Sequence, residues 1–497
     1  MSPFLRLRVS VRERASAYAR LFPAALARVG IVDRKRGEEA FDLAVPVMVT
    51  GVFRVLQQVA DFAMVGLAVG DSAIAGLEIG FQYYFIAFGL ALALSSGTIS
   101  VVSRYRGADE PTRANRAIQQ SLWLAIVVAV PLTTGAWLYA EPLVAVLTDD
   151  PDVVRYGSAY LAVVMLAALP RFWGLIASRS LAGAGDTRTP MWVRSVTLPT
   201  NVALNALLIF GVGPAPRLGV VGAAVGTVVA NLLAALIFGA ILLRGRGGVR
   251  LPPDLTLDFA LVRELVRVSV PEAGTRLSRT LARFPFLFVL GVLGPTALAA
   301  YGIARRVILL AMMPAWGYAT AASTLVGQSV GRGEDREATA YGWSATRIAL
   351  ATQLLVAVVI AAFAPAIARG FGTEAIAETA AFVRVFALGV AGFSIARTLR
   401  GALRGAGDTR WPLYGTLLGT YLVRLPIAAL ALPAGYALAV GPWSLSVGYG
   451  FGLPAVFAAI LGGLYLKAAV NAVRFASGSW LAVARDAGIR SDAASDD

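Results

Sequence analysis

The chain has 497 residues, 58% of them hydrophobic and only 15% charged, with no cysteine and no histidine. Soluble domains carry roughly 25% charged residues, so this composition, with long apolar runs in every quarter of the sequence, describes a polytopic, all-α membrane protein. The missing residue types exclude disulfides, thiolate nucleophiles, iron–sulfur clusters and histidine acid–base or zinc chemistry.

The formal net charge of +15 is almost wholly arginine, since only Lys35 and Lys467 are lysines, and its placement decides between a nucleic-acid partner and a membrane. Residues 1–40 read as a cytoplasmic basic arm. Phe4-Leu-Arg-Leu-Arg-Val9 and the stretch from Leu21 to Gly30 are too interrupted by arginine for a secretory signal. They suit an amphipathic segment on anionic lipid, or a disordered tail. Apolar stretches of about 20 residues then predict six spans at 43–69, 79–103, 118–140, 157–178, 190–212 and 219–243, a first lobe over 41–243. A Gly/Pro/Arg linker, 244–262, leads to six more at 264–293, 297–325, 343–368, 381–400, 412–433 and 447–470, a second lobe over 263–470, followed by a tail, 471–497.

Several of these spans carry polar residues that lipid does not tolerate cheaply. Asp61 lies deep in the first span, where a carboxylate must be paired, protonated or holding a cation; Arg54, seven residues earlier on nearly the same face, is its structural partner if the role is only an ion pair. Asn201 and Asn205 in the fifth span are four apart on one face, and Thr227 lies in the sixth. With Asp61 they offer oxygens of the kind a sodium ion takes, or serve as interhelical glue. In the seventh span Glu272, Arg276, Arg279 and Arg283 are spaced four, three and four apart, so at about 100° per residue they form one stripe, which should line a watery cavity or meet carboxylates. Arg305, Arg306 and Arg424 make the second half still more cationic.

Arginines gather in alternate connections, and so on one side of the membrane, with only Arg155, Arg217 and Arg369 as basic loop residues on the other. One side takes the N-terminal arm, Arg104 to Arg116, Arg179 and Arg188, the 244–250 loop, Arg332 and Arg336, Arg400 to Arg410, and Arg485 and Arg490; the other takes Asp71, Glu78, Glu141, Asp149 to Asp152, Glu374 and Glu378. The positive-inside rule then puts both termini in the cytoplasm. The charge orients the protein in the cell membrane and requires no nucleic acid.

The chain also repeats itself. Leu181-Ala-Gly-Ala-Gly-Asp-Thr-Arg-Thr-Pro190 returns as Leu403-Arg-Gly-Ala-Gly-Asp-Thr-Arg-Trp-Pro412, an offset of 222, and similar offsets pair Pro46 with Pro271, Gly66 with Gly291, and Arg106-Gly107 with Arg332-Gly333. Each copy holds six spans, an even number, so the copies enter the membrane in the same direction, the parallel arrangement of many secondary transporters. The Gly-Asp-Thr-Arg segment lacks the GxxxxGK[ST] spacing of a phosphate loop and reads as turn and cap chemistry, with Thr189 able to cap the next helix.

Ala44-Val-Pro46, the aspartate in Val59-Ala-Asp-Phe-Ala-Met-Val-Gly66, the twin Gly-Asp-Thr turns and Ala322-Ser-Thr-Leu-Val-Gly-Gln-Ser-Val-Gly331 together resemble the multidrug and toxic compound extrusion (MATE) family, most closely its prokaryotic DNA-damage-inducible F type, over residues 38–470. The resemblance implies two six-helix lobes in a V and an antiporter, without cofactors, that exports small organic compounds against inward Na+ or H+, as a monomer in lipid. It also implies a cation site at Asp61, Tyr160, Asn201, Asn205 and Thr227. Asn205 departs from the pattern, which has an aspartate there, and so lowers the site's charge from −2 to −1. The acidic seventh-helix residue of the other bacterial branch is absent, with Arg279 near its expected place, and a cationic second lobe favours an anionic or zwitterionic substrate over a purely cationic one.

Two other functions compete with the antiporter. A flippase for a lipid-linked anionic substrate would use an arginine-lined cavity, taking in Arg54, Glu272, Arg276, Arg279, Arg283, Arg305, Arg306 and Arg424 as candidates. An integral membrane transferase would need clustered carboxylates and a divalent metal; the acidic cluster on the outer side, Thr148-Asp-Asp-Pro-Asp152, suits a helix start or turn.

Overall fold

The structure is a computed structural model that describes residues 22–440 and 443–485; most of the expected basic arm, and the end of the tail with Arg490, lie outside the described residues. Two compact units divide the chain: among the described residues one comprises 46–276 and 330–333, the other 22–45, 277–329 and 334–485. Among the described residues nine helices are long and apolar enough to cross a membrane, and Pro295–Leu309 with Ala311–Gly331, bent by 46°, makes a tenth if the pair is one span. The bend has a sequence cause, because a proline at 314 clashes with the carbonyl four residues back, at position 310 where the helix breaks.

The two remaining expected spans are interrupted helices. The seventh runs Phe259–Leu281 and resumes at Arg283–Val292, since Pro285 has no N–H for the Leu281 carbonyl. The expected four-residue stripe is therefore cut: Glu272, Arg276 and Arg279 share one helix, and Arg283 opens the next. The eleventh is α-helical over Arg410–Leu417, π-helical over Leu418–Arg424 and α-helical again over Leu425–Ala429. A two-stranded antiparallel hairpin, Ala437–Val440 with Trp443–Ser446, precedes the last span, which starts at Gly452, five residues later than expected.

The repeat is visible in local chemistry. In the first span Thr50 Oγ1 donates to the Pro46 carbonyl at 2.9 Å, and in the seventh Thr275 Oγ1 donates to the Pro271 carbonyl at 2.8 Å, the same hydroxyl support of a proline kink in each copy. Gly185 and Gly407 end their helices at φ +97° and +88°, a left-handed turn that glycine adopts without a Cβ penalty. In both, the following aspartate N–H, of Asp186 or Asp408, closes onto the Leu181 or Leu403 carbonyl. Thr189 is not the cap of the fifth span. Asp186 takes that place, its Oδ1 accepting from the backbone N–H of Arg188 at 3.0 Å and of Thr189 at 2.9 Å. The second and eighth spans end at Gly107 and Gly331, with positive φ at Asp109 and Gly333. Their register is thus 224, not the 226 that pairing Arg106-Gly107 with Arg332-Gly333 requires.

Packing inside the first of these units joins Val65, Leu77, Tyr84, Leu161, Phe172 and Val220, and in the other Phe286, Tyr301, Phe382, Val383 and Val456. Charged anchors tie span ends. Arg104, 1% exposed, pairs with Glu264, 14% exposed, at 2.7 Å, and Tyr105 donates to the same carboxylate. Residues 22–28 and 34–40 are helical and not a loose arm: Arg36 pairs with Glu337 at 2.7 Å and Tyr341 donates to Glu39. Asp408 meets Arg474 at 2.7 Å; burial pushes its carboxyl up while Arg474 pulls it down. Asp150 caps the helix from Pro151, accepting from the Asp152 and Val153 N–H groups, the helix-start role expected of the acidic cluster.

Candidate ion-coupling site

The strongest polar cluster lies where the first, fifth and sixth spans meet within the unit of residues 46–276. Asp61 Oδ1 accepts from Asn205 Nδ2 at 2.7 Å, and Asp61 Oδ2 lies 3.4 Å from Gln57 Nε2. Gln57 Nε2 also donates to Asn201 Oδ1 at 2.5 Å, which takes a second bond from Asn205 Nδ2 at 3.3 Å. Asn201 Nδ2 reaches Thr227 Oγ1 at 3.5 Å, and Thr227 is held by its own helix through the Ala223 carbonyl at 2.9 Å. The helical spacing explains the gathering: Gln57 and Asp61 are four apart, as are Asn201 and Asn205, so each pair shares a face.

A lone carboxylate in a membrane-spanning helix is thus surrounded by amide N–H groups, the way a protein solvates a buried anion. Arg54 makes no ion pair with Asp61 among the described residues, so the purely ionic explanation of Asp61 does not hold. Asn205 Oδ1 is buried and has no hydrogen-bond partner. It rests against Gly226 of the sixth span, where any Cβ would collide with it. The glycine is needed for that close approach.

Tyr160 is buried in the fourth span among Tyr84, Leu161 and Phe172, its ring against Gly80, and makes no hydrogen bond to the amide cluster among the described residues. Two residues not anticipated from the sequence extend the network: Arg171 Nη1 donates to Asn231 Oδ1 at 3.4 Å, and Asn231 Nδ2 to the Thr227 carbonyl at 2.8 Å. Arg171 lies over the Phe88 ring at 4.4 Å. Gln57 was also missed, although its position four residues before Asp61 was a usable signal. Of the cavity candidates, Arg54 is half-buried, Glu272 is 1% exposed, Arg276 is half-buried, and Arg279, Arg283, Arg305 and Arg306 are exposed. Glu272, Arg276, Arg279 and Arg283 all have interaction partners. Arg424 packs in the other unit, its guanidinium 3.9 Å over Phe286.

A family model described as MatE matches residues 46–207 and 271–430, one stretch in each copy of the repeat. The chain belongs to the MatE family. Among relatives of this MatE protein, the probable multidrug resistance protein NorM of Bradyrhizobium diazoefficiens is 30% identical over 427 residues, 83% of this chain and 90% of that protein. The probable multidrug resistance protein NorM of Thermotoga maritima is 28% identical over 417 residues, 82% of this chain and 88% of that one. A crystal structure of MATE in the bent conformation superposes with a TM-score of 0.81 at 21% identity, covering 91% of this chain and 97% of that one. A MOP superfamily transporter from Pyrococcus furiosus gives 0.79 at 22% identity, over 89% and 96%. These likenesses establish the two-repeat helical fold and make the chain a multi-pass membrane transporter and not a transferase.

Proposed function

We propose that this MatE chain is a secondary antiporter of the cell membrane that exports small amphipathic organic compounds in exchange for a cation entering down its gradient, with Asp61 as the coupling carboxylate. The observation that supports it is the Asp61 carboxylate on the first span, bonded across to Asn205 on the fifth at 2.7 Å. When Asp61 is charged, that bond is charge-assisted and roughly twice as strong as a neutral one. Neutralising the carboxylate weakens the link between the two spans. Binding and release of the coupling ion therefore bias two packings of the first span, which is what a switch in access requires.

A proton suits this arrangement better than sodium. Both amides present N–H and not oxygen to Asp61, and with Asn205 in place of an aspartate a single proton neutralises the group. Sodium would require the Asn205 and Gln57 amides to turn their oxygens inward beside Asn201 Oδ1 and Thr227 Oγ1. Both termini lie in the cytoplasm on this reading, as the arginine-rich connections direct. The test is movement of ethidium and of fluorescein in proteoliposomes under separate proton and sodium gradients. Wild type is expected to move dye under the proton gradient, and Asp61→Asn to lose that movement while keeping its unfolding midpoint. Wild-type flux in Asp61→Asn would rule out the coupling role.

A further inference from the structure

Between its eleventh and twelfth spans the second copy of the repeat carries a polar cluster of the opposite sign to that around Asp61. The offset of 225 that carries Pro46 to Pro271 carries Asp61 to Phe286. In the first copy Asn205 of the fifth span packs on Gly226 of the sixth. In the second, Arg424 of the eleventh span packs on Gly463 of the twelfth, where an added Cβ would lie 2.9 Å from Arg424 Cβ. The contact is reciprocal: a Cβ on Gly419 of the eleventh span would lie 2.8 Å from Lys467 Cγ of the twelfth and 2.9 Å from the Gly463 carbonyl oxygen. Each helix thus offers a glycine on which the other helix lays a cationic stem.

Among the described residues no carboxylate bonds to the groups at the end of those stems. Arg424 stacks on Phe286 at 3.9 Å and donates from Nη2 to the Tyr301 hydroxyl at 3.4 Å, while its Nε is buried without a hydrogen-bond partner. Lys467 makes no hydrogen bond and no ion pair among the described residues. The charges of Arg279, Arg424 and Arg400 act on it. Gly419 and Arg424 stand on the π-helical stretch Leu418–Arg424, a distortion that costs regular hydrogen bonding and recurs at functional sites. Arg424 and Lys467, two like charges side by side in a spanning helix bundle, are costly to hold there, and that cost falls when an anion enters. Tyr301, Phe382 and Phe386 form an aromatic wall beside Phe286.

We infer that Lys467 and Arg424, with Arg279 and Arg400 close by, form an anion site in the second copy for the carboxylate, sulfonate or phosphate head of an amphipathic organic ligand. This names the substrate class of the transporter proposed above and rests on that reading for its purpose, though not for the binding itself.

The experiment is equilibrium binding of dansylglycine, followed by fluorescence, to the full-length protein in phosphatidylcholine nanodiscs, with neutral dansylamide and cationic dansylcadaverine as comparisons. Dansylglycine is expected to bind most tightly and to be displaced by inorganic phosphate. Lys467→Gln and Arg424→Gln should each weaken it roughly tenfold, the loss of one charge-assisted contact, whereas Lys467→Arg and the remote Arg369→Gln should not. Loss of dansylglycine binding on adding phosphatidylglycerol to the discs would support the same site with a lipid phosphate as its occupant. Equal binding of dansylcadaverine, absence of phosphate competition on the wild type, or unchanged affinity in both glutamine variants with wild-type unfolding midpoints would overturn the inference. No gradient is applied, so a failure of this site and a failure of Asp61-coupled transport are read separately.

Discussion

The sixth span contains two glycines whose replacement by alanine should act in opposite directions. Gly239 faces open space, with nothing within 4 Å of an added Cβ; there Gly239→Ala gains the helix propensity of alanine, about 1 kcal/mol. At Gly226 the same methyl falls on Asn205 Oδ1 and comes within 3.1 Å of Asn205 Cγ and N. The backbone nitrogen cannot retreat, so the side chain must swing away and give up its 2.7 Å bond to Asp61. Overpacking costs about 1–3 kcal/mol and a hydrogen bond to a charged group about 1.5–3 kcal/mol. After the propensity gain, Gly226→Ala should be net destabilising by about 1.5–5 kcal/mol. The assay is the unfolding midpoint followed by tryptophan fluorescence in detergent, paired with proton-driven dye flux. Gly239→Ala should raise the midpoint and leave flux intact; Gly226→Ala should lower both. Matching shifts in the two variants, or full flux in Gly226→Ala, would show that the Asn205–Asp61 bond does not support coupling.

Two further outcomes follow from the same geometry. Asn205→Asp places a second carboxylate beside Asp61 and raises the site's charge to −2, so the pair should hold one proton more tightly and sodium should begin to drive flux; an unchanged ion dependence would mean that Asn205 is not part of the ion's environment. Arg104→Ala strands Glu264, which is 14% exposed, and should cost about 3–5 kcal/mol, whereas Arg104→Met with Glu264→Leu should cost markedly less; a double-mutant cycle of unfolding midpoints checks the difference.

Much of the fold was readable because lipid imposes length and hydrophobicity, and because duplication leaves motifs at a near-constant offset. Interruptions were harder to see. The break after Leu281 and the bend before Pro314 follow from prolines that were in view, but a span-length reading averages over them. Sequence does not separate Asp186 from Thr189 as the cap, because an aspartate in a glycine turn and a threonine at the helix start are both good capping types; the backbone decides which oxygen reaches the free N–H groups. The repeat register at Gly107 was two residues off because one copy puts a glycine, and the other an aspartate, at the positive-φ position.

By itself the sequence determined the membrane setting, the duplicated plan, and the importance of Asp61, since an ionisable group in an apolar span is costly enough to be conspicuous in one dimension. Spacing also determined that Asn201 and Asn205 share a face. The tertiary structure decided which faces meet: that Asn205 and not Arg54 satisfies Asp61, that Gly226 exists to admit Asn205, and that Lys467, a lone lysine in an apolar helix, lies beside Arg424. Periodicity assigns a residue to a side of its own helix, but helices in a bundle can turn about their axes and slide along one another. Which side chains touch is settled by the close approach of small residues between helices, a property of pairs that no single helix encodes.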